Sequence, residues 1–265
     1  MKYKILSVLN LITTIVVIFW NYYINAIGIN GRIISDLSSQ YANLFTPASY
    51  AFSIWGIIFL GLILLGGYYC YLAFSEKLQE KEHNPKILTY VIIANLLNGL
   101  WSYLFITQQT GISIVVMFGI LLPLIICIVS LQMEKFDADA RTIIFIWWPI
   151  SVYAGWISVA AIANVASHLS QSEFTTVAVT DYQYTVIMII IATVINILMI
   201  YYRNMREFGL VGVWSLIAIY VRHVNTEFNS IANLALTCAI ILSLVILVHG
   251  YKNINTHIFK KIREL

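Results

Sequence analysis

The stretch Ala94-Asn-Leu-Leu-Asn-Gly-Leu-Trp-Ser-Tyr-Leu-Phe105 lies inside a run that is otherwise as apolar as an acyl chain, yet it carries two amides, two hydroxyls and an indole. On a helix, Asn98, Trp101, Ser102 and Phe105 fall at i, i+3, i+4 and i+7, which is one face of the cylinder. An unpaired amide in hydrocarbon is costly, so that face must lie against protein or a wet cavity. The stretch is therefore expected to be the inward side of one helix in a membrane bundle.

The rest of the chain agrees. Of its 265 residues, 60% are hydrophobic and only 10% are charged, and the charges fall in short clusters between long apolar runs. This is the make-up of a polytopic membrane protein rather than a soluble domain. Runs near 5–27, 49–74, 87–108, 111–132, 142–166, 184–202 and 230–250 are long enough to cross a bilayer core as helices. An eighth, near 207–223, is shorter and is bracketed by Glu207 and Arg222. The expected fold is all-α, a polytopic membrane helix bundle of about eight transmembrane helices, the seventh being the thinnest.

Charge gives an independent check on that number. With the first residue inside, Lys2, Lys4, Lys77, Lys81, Lys86, Lys135, Arg141, Arg203, Arg206, Lys252, Lys260, Lys261 and Arg263 all fall inside, and only Arg32 and Arg222 outside. That asymmetry predicts an even number of spans with both termini in the cytoplasm; the membrane itself is expected to be the cytoplasmic membrane of a bacterium. The first run is longer than a signal-peptide core and has Ile24 where a small residue is wanted before a cleavage point, so it is expected to be retained, with Trp20, Tyr22 and Tyr23 at the outer interface. Cys70, Cys127 and Cys238 lie within spans and form neither a disulfide framework nor a metal spacing.

The longest loops, about 28–48, 75–86 and 167–183, have no room for a core of their own. Function is expected within the bundle or at its rims. The tail Asn253 to Leu265, with Lys260, Lys261 and Arg263, is a weak basic patch that orientation explains.

Two more helices repeat the pattern of the opening stretch. Phe52, Trp55 and Phe59 recur at i, i+3 and i+7 just after Pro47. Trp156, Ala160 and Asn164 recur at i, i+4 and i+8, with Tyr153 one turn earlier. Spacing leaves two readings open. In one, the amides and hydroxyls bond helix to helix at roughly 0.6–2 kcal/mol each and the indoles fill the core. In the other, flat rings and amides line a cleft for a planar apolar ligand.

The residues themselves supply a resemblance. Asn98-x-x-Trp101-Ser102-x-x-Phe105 is similar to the third-helix signature of the TspO/MBR family, the tryptophan-rich sensory proteins related to the mitochondrial translocator protein. Tyr153-x-x-Trp156-x-x-x-Ala160-x-x-x-Asn164 resembles its fifth-helix motif, and Pro47-x-x-x-x-Phe52-x-x-Trp55-x-x-x-Phe59 resembles the start of its second helix. The motifs lie within residues 1–168, which the resemblance makes a TspO-like five-helix unit. Residues 169–265 would then be three further transmembrane helices and a basic cytoplasmic tail.

The resemblance implies a membrane-embedded sensor or regulator that binds a flat hydrophobic ligand, a tetrapyrrole such as protoporphyrin or a sterol or lipid. Phe52, Trp55, Phe59, Asn98, Trp101, Ser102, Phe105, Tyr153, Trp156, Ala160 and Asn164 would make its ligand site. No cofactor is required, and the partners expected are membrane lipid and a hydrophobic small molecule, with no nucleic acid. The chain departs from the family pattern in two places. The first loop has Pro47 alone where a Trp and a Pro-Pro pair usually help to lid the site, and Pro149 stands four residues before Tyr153 rather than directly before it. The added helices are expected to cover the surface that shorter relatives use to dimerise.

Other functions are less well supported by the residues. An ion-coupled transporter needs titratable groups at membrane depth, and none of the 12 acids falls mid-span. A facilitator for a neutral or amphipathic molecule stays open. No nucleophile triad, metal cluster or phosphate cradle is present. Glu173 and Asp181 form the only candidate carboxylate pair, and enzyme chemistry enters only through the resemblance, as light-dependent porphyrin breakdown at Trp156.

Overall fold

The computed structural model describes residues 1–34, 37, 43–78, 83–135, 138–171 and 181–253. Among them the chain forms eight long helices. These are α1 (Lys2–Ala26), α2 (Ile54–Phe74), α3 (Ile87–Ile106), α4 (Thr110–Ser130), α5 (Trp148–Gln171), α6 (Asp181–Arg203), α7 (Arg206–His223) and α8 (Asn229–Lys252). All but α7 are long and apolar enough to cross a membrane, so the chain is an integral membrane protein with seven candidate spans and one shorter, more polar helix.

Two prolines shape the helices that matter most. After Pro47, a single 3-10 turn, Ser49–Ser53, leads into α2. α5 is reached through Ala140–Thr142, where the Asp139 carboxylate accepts from Thr142 N–H at 2.9 Å, and then a π turn, Ile143–Trp147, just ahead of Pro149. Proline has no N–H and its ring crowds the carbonyl four residues back, so the preceding turn widens instead of continuing as α. The same ring packs on α2, where a Cβ added to Gly61 would meet it at 3.2 Å.

The first five helices close on themselves. α1 packs on α2 and α3, α3 on α4, α4 on α5, and α5 returns to α2. α7 lies against α5 and carries α6 and α8 on its other sides. One apolar core fills the ring and takes in Phe208, Val211 and Ala218 of α7. A second joins Val159 and Ala166 of α5 to the inner faces of α6, α7 and α8. Inside the ring, polar side chains stitch neighbours together: Asn95 of α3 donates to Thr14 Oγ1 of α1 at 3.1 Å, and Trp20 Nε1 of α1 lies 2.9 Å from the Gly99 carbonyl of α3. Trp20 is thus turned into the bundle, while Tyr22 and Tyr23 stay exposed. An indole N–H that finds an interior acceptor is better placed there than in an interfacial belt.

Candidate ligand-binding site

The 3-10 turn after Pro47 sets the start of α2 against the middle of α5, and this brings five aromatic rings together. Trp55 stacks on Phe59 with ring centres 5.2 Å apart and meets Tyr153 and Trp156 edge-on at 6.0 and 6.5 Å. Phe52 meets Trp156 edge-on at 5.9 Å. Tyr153 and Trp156 are buried, whereas Phe52, Trp55 and Phe59 are half-buried and form the outer side of the cluster. Edge-to-face contacts of this kind add about 0.5–1.5 kcal/mol each beyond the area they bury.

Asn98 of α3 joins this cluster. Its Nδ2 donates to the Tyr153 hydroxyl at 3.2 Å, and that hydroxyl lies 3.4 Å from the Ala94 carbonyl. The other end of the amide, Asn98 Oδ1, is buried without a hydrogen-bond partner among the described residues, as is Trp101 Nε1. Trp101 is itself stacked on Phe105 at 5.3 Å, and both belong to the same apolar core as Tyr153 and Trp156.

The remaining sequence-derived residues are engaged elsewhere. Ser102 Oγ faces α1, where it accepts from Trp20 Nε1 at 3.1 Å, and it donates to its own helix at the Gly99 carbonyl, 2.9 Å away. Asn164 faces α4: its Nδ2 donates to Ser113 Oγ at 3.0 Å, and its Oδ1 lies 3.3 Å from the same hydroxyl. Ala160 is half-buried and packs on the ring core. So Phe52, Trp55, Phe59, Tyr153, Trp156 and Asn98 share one place, Trp101 and Phe105 form a second pair, and Ser102 and Asn164 each bond one helix to another.

Sequence reasoning missed the residues that hold the chain just before Phe52. Four residues of α7 bond to it. Ala48 N–H donates to the Ala218 carbonyl at 3.0 Å and Trp214 Nε1 to the Ala51 carbonyl at 3.1 Å. Arg222 Nη1 donates to the Thr46 carbonyl at 3.2 Å, and His223 Nε2 to the Leu44 carbonyl at 2.9 Å. Asn43 adds a bond to Ser167 Oγ of α5 at 3.0 Å. Where the family pattern has a Trp and a proline pair in the loop, here a Trp, an Arg and a His reach the loop from a later helix. The signal in the sequence was Arg222 and His223 closing an otherwise apolar helix.

A cavity of about 860 Å³ lies apart from this cluster, between α2, α5, α7 and α8, and none of the eleven sequence-derived residues lines it. No group of His, Cys, Asp or Glu among the described residues could hold a metal ion. Glu173, half of the candidate carboxylate pair, and the basic tail residues Lys260, Lys261 and Arg263 lie outside the described residues.

A membrane-spanning helix bundle with a closed five-helix ring and an interior of indoles and amides is the class these observations define. A family model described as TSPO-like protein matches residues 7–248, and the chain belongs to that family. The match takes in α6 to α8 as well as the ring that carries the three motifs. No curated protein and no solved structure is significantly similar to the chain.

Proposed function

We propose that this TSPO-like protein is a membrane sensor or regulator that binds a flat hydrophobic ligand between α2, α3 and α5, with both termini on the cytoplasmic side. The supporting observation is the convergence of Phe52, Trp55, Tyr153 and Trp156 beside an amide, Asn98, whose Oδ1 has no partner inside the ring. A buried acceptor left open costs free energy that a ligand N–H would recover. The rings supply faces for stacking, and the half-buried Phe52, Trp55 and Phe59 form the rim from which a guest reaches Trp156. Family likeness favours a tetrapyrrole such as protoporphyrin, with sterols and lipids as the neighbouring ligand class.

Titration of the purified protein with protoporphyrin, read by tryptophan fluorescence, tests the proposal. Saturable quenching is expected, and Trp156→Ala should weaken binding about tenfold, the loss of ~1.4 kcal/mol that one stacked indole provides. Linear, non-saturating quenching by every tetrapyrrole tried would remove the tetrapyrrole reading.

A further inference from the structure

The cavity of about 860 Å³ is a groove between the ring and the added helices, and its volume falls in the range of roughly 300–1,000 Å³ typical of small-molecule sites. Ile57 and Leu60 of α2, Leu210 of α7 and Leu247 of α8 line it and are exposed, so the groove opens sideways to the hydrocarbon of the bilayer. Arg206 and Trp214 both border it, and their separation along α7 gives it a length of about 12 Å at 1.5 Å per residue.

Its polar end is built from the starts of α5 and α7. The Glu207 carboxylate takes a hydrogen bond from the Trp148 indole and lies within electrostatic reach of the Arg206 guanidinium. Glu134 borders the same end and has an interaction of its own. Arg206 and Glu207 thus compensate each other, which leaves no spare charge for an ionic head group. One donor is left over. Arg206 Nη1 is buried and has no hydrogen-bond partner among the described residues. It lies beside the α8 wall, where a Cβ added to Gly250 would meet it at 3.6 Å.

These groups select a neutral ligand. A phosphate, carboxylate or ammonium would give up its hydration to enter an apolar groove whose own charges are already balanced. A neutral oxygen acceptor meets Nη1 without that loss and relieves an unmade bond. Trp148 and Tyr251 border the same end, so a flat head has rings to pack on. We propose that the groove binds a prenylated quinone. Arg206 Nη1 donates to a ring carbonyl, the quinone ring lies by Trp148 and Tyr251, and the prenyl chain runs along Leu60 and Leu210 toward Trp214. This site is separate from the aromatic cluster and stands whether or not that cluster binds a tetrapyrrole.

The test uses the full chain, purified in detergent and stripped of lipid. It is titrated with geranylgeranyl naphthoquinone, with geranylgeranyl naphthalene, which has the same rings and tail but no carbonyl, and with geranylgeraniol; bound ligand is counted by native mass spectrometry. One quinone per chain should be held several-fold more tightly than either of the others. Arg206→Gln should lower quinone affinity about tenfold and leave the naphthalene unmoved. Leu210→Trp, at an exposed position on the groove wall, should weaken both ring compounds, whereas Trp156→Ala in the aromatic cluster should weaken neither. Equal retention of all three compounds, unmoved by the groove variants, would overturn the proposal. Tighter retention of geranylgeraniol would overturn the carbonyl assignment, and loss of quinone binding in Trp156→Ala would place the quinone in the ring instead. Should Arg206→Gln fail to fold, Leu210→Trp carries the test, and an unchanged quinone affinity there contradicts the site.

Discussion

Asn98 and Asn164 look alike in the sequence, each an amide on a tryptophan-bearing face, but they do different work in the structure. Both polar ends of Asn164 lie within hydrogen-bond distance of Ser113 on α4, while Asn98 uses only Nδ2, on Tyr153. Asn164→Leu should therefore lower thermal stability in detergent by an amount equivalent to roughly 0.6–2 kcal/mol, the range for an interhelical bond in a membrane, and leave ligand affinity unchanged. Asn98→Leu should weaken ligand binding as well. If the two variants exchanged these effects, the assignment of roles would be wrong. Spacing showed that these residues face inward; it did not show their partners, because those sit on other helices. Ser102 and Trp20, for example, meet across 82 positions of chain. One polar stripe was legible and was passed over: Ser7, Asn10, Thr14 and Asn21 on α1 recur at helical spacing, and all four are buried.

At the scale of elements, α7 explains itself through its neighbours. As a lipid-facing span it is too short and too polar, but it packs against α5, α6 and α8, and the charged residues at its C-terminal end bind a loop. At that end Arg222 and His223 hold the carbonyls of residues 44–46. Just ahead of its start, Arg203 at the end of α6 donates to the Ile128 carbonyl of α4 at 2.8 Å, and Asn204 in the α6–α7 link donates to the Glu134 carbonyl at 3.0 Å. Arg222→Ala should loosen the chain ahead of Phe52, so limited proteolysis should cut within residues 43–48 at a lower protease concentration than in the wild type. The α6–α7 contact is tight. A Cβ on Gly212 would lie 2.5 Å from the Asn196 side chain, whose Nδ2 is held by the Ala192 carbonyl at 2.8 Å. Gly212→Ala should therefore cost about 1–3 kcal/mol, read as a lowered melting temperature, through overpacking of a side chain that cannot swing away. An Ala variant as stable as the wild type would mean that Asn196 has another place to go.

Taken whole, the molecule is a five-helix ring with three helices laid along its α5 side. The helices were readable in the sequence to within a few residues, because bilayer thickness sets the length of each apolar run and charge marks where it ends. The aromatic cluster was readable in part, since Trp55 and Trp156 repeat with their neighbours at helical spacing. The groove was not, because its walls come from α2, α5, α7 and α8, and no local pattern records how distant helices splay apart. The account rests on a planar ligand lying against α2 and α5 inside the ring. Photoaffinity labelling with a diazirine-bearing porphyrin, followed by peptide mapping, tests this most directly. The account predicts saturable, competable labelling within residues 52–59 and 153–160, whereas label confined to Leu210 and Tyr251 in the groove, or spread over outward residues such as Leu96 and Val115, would contradict it.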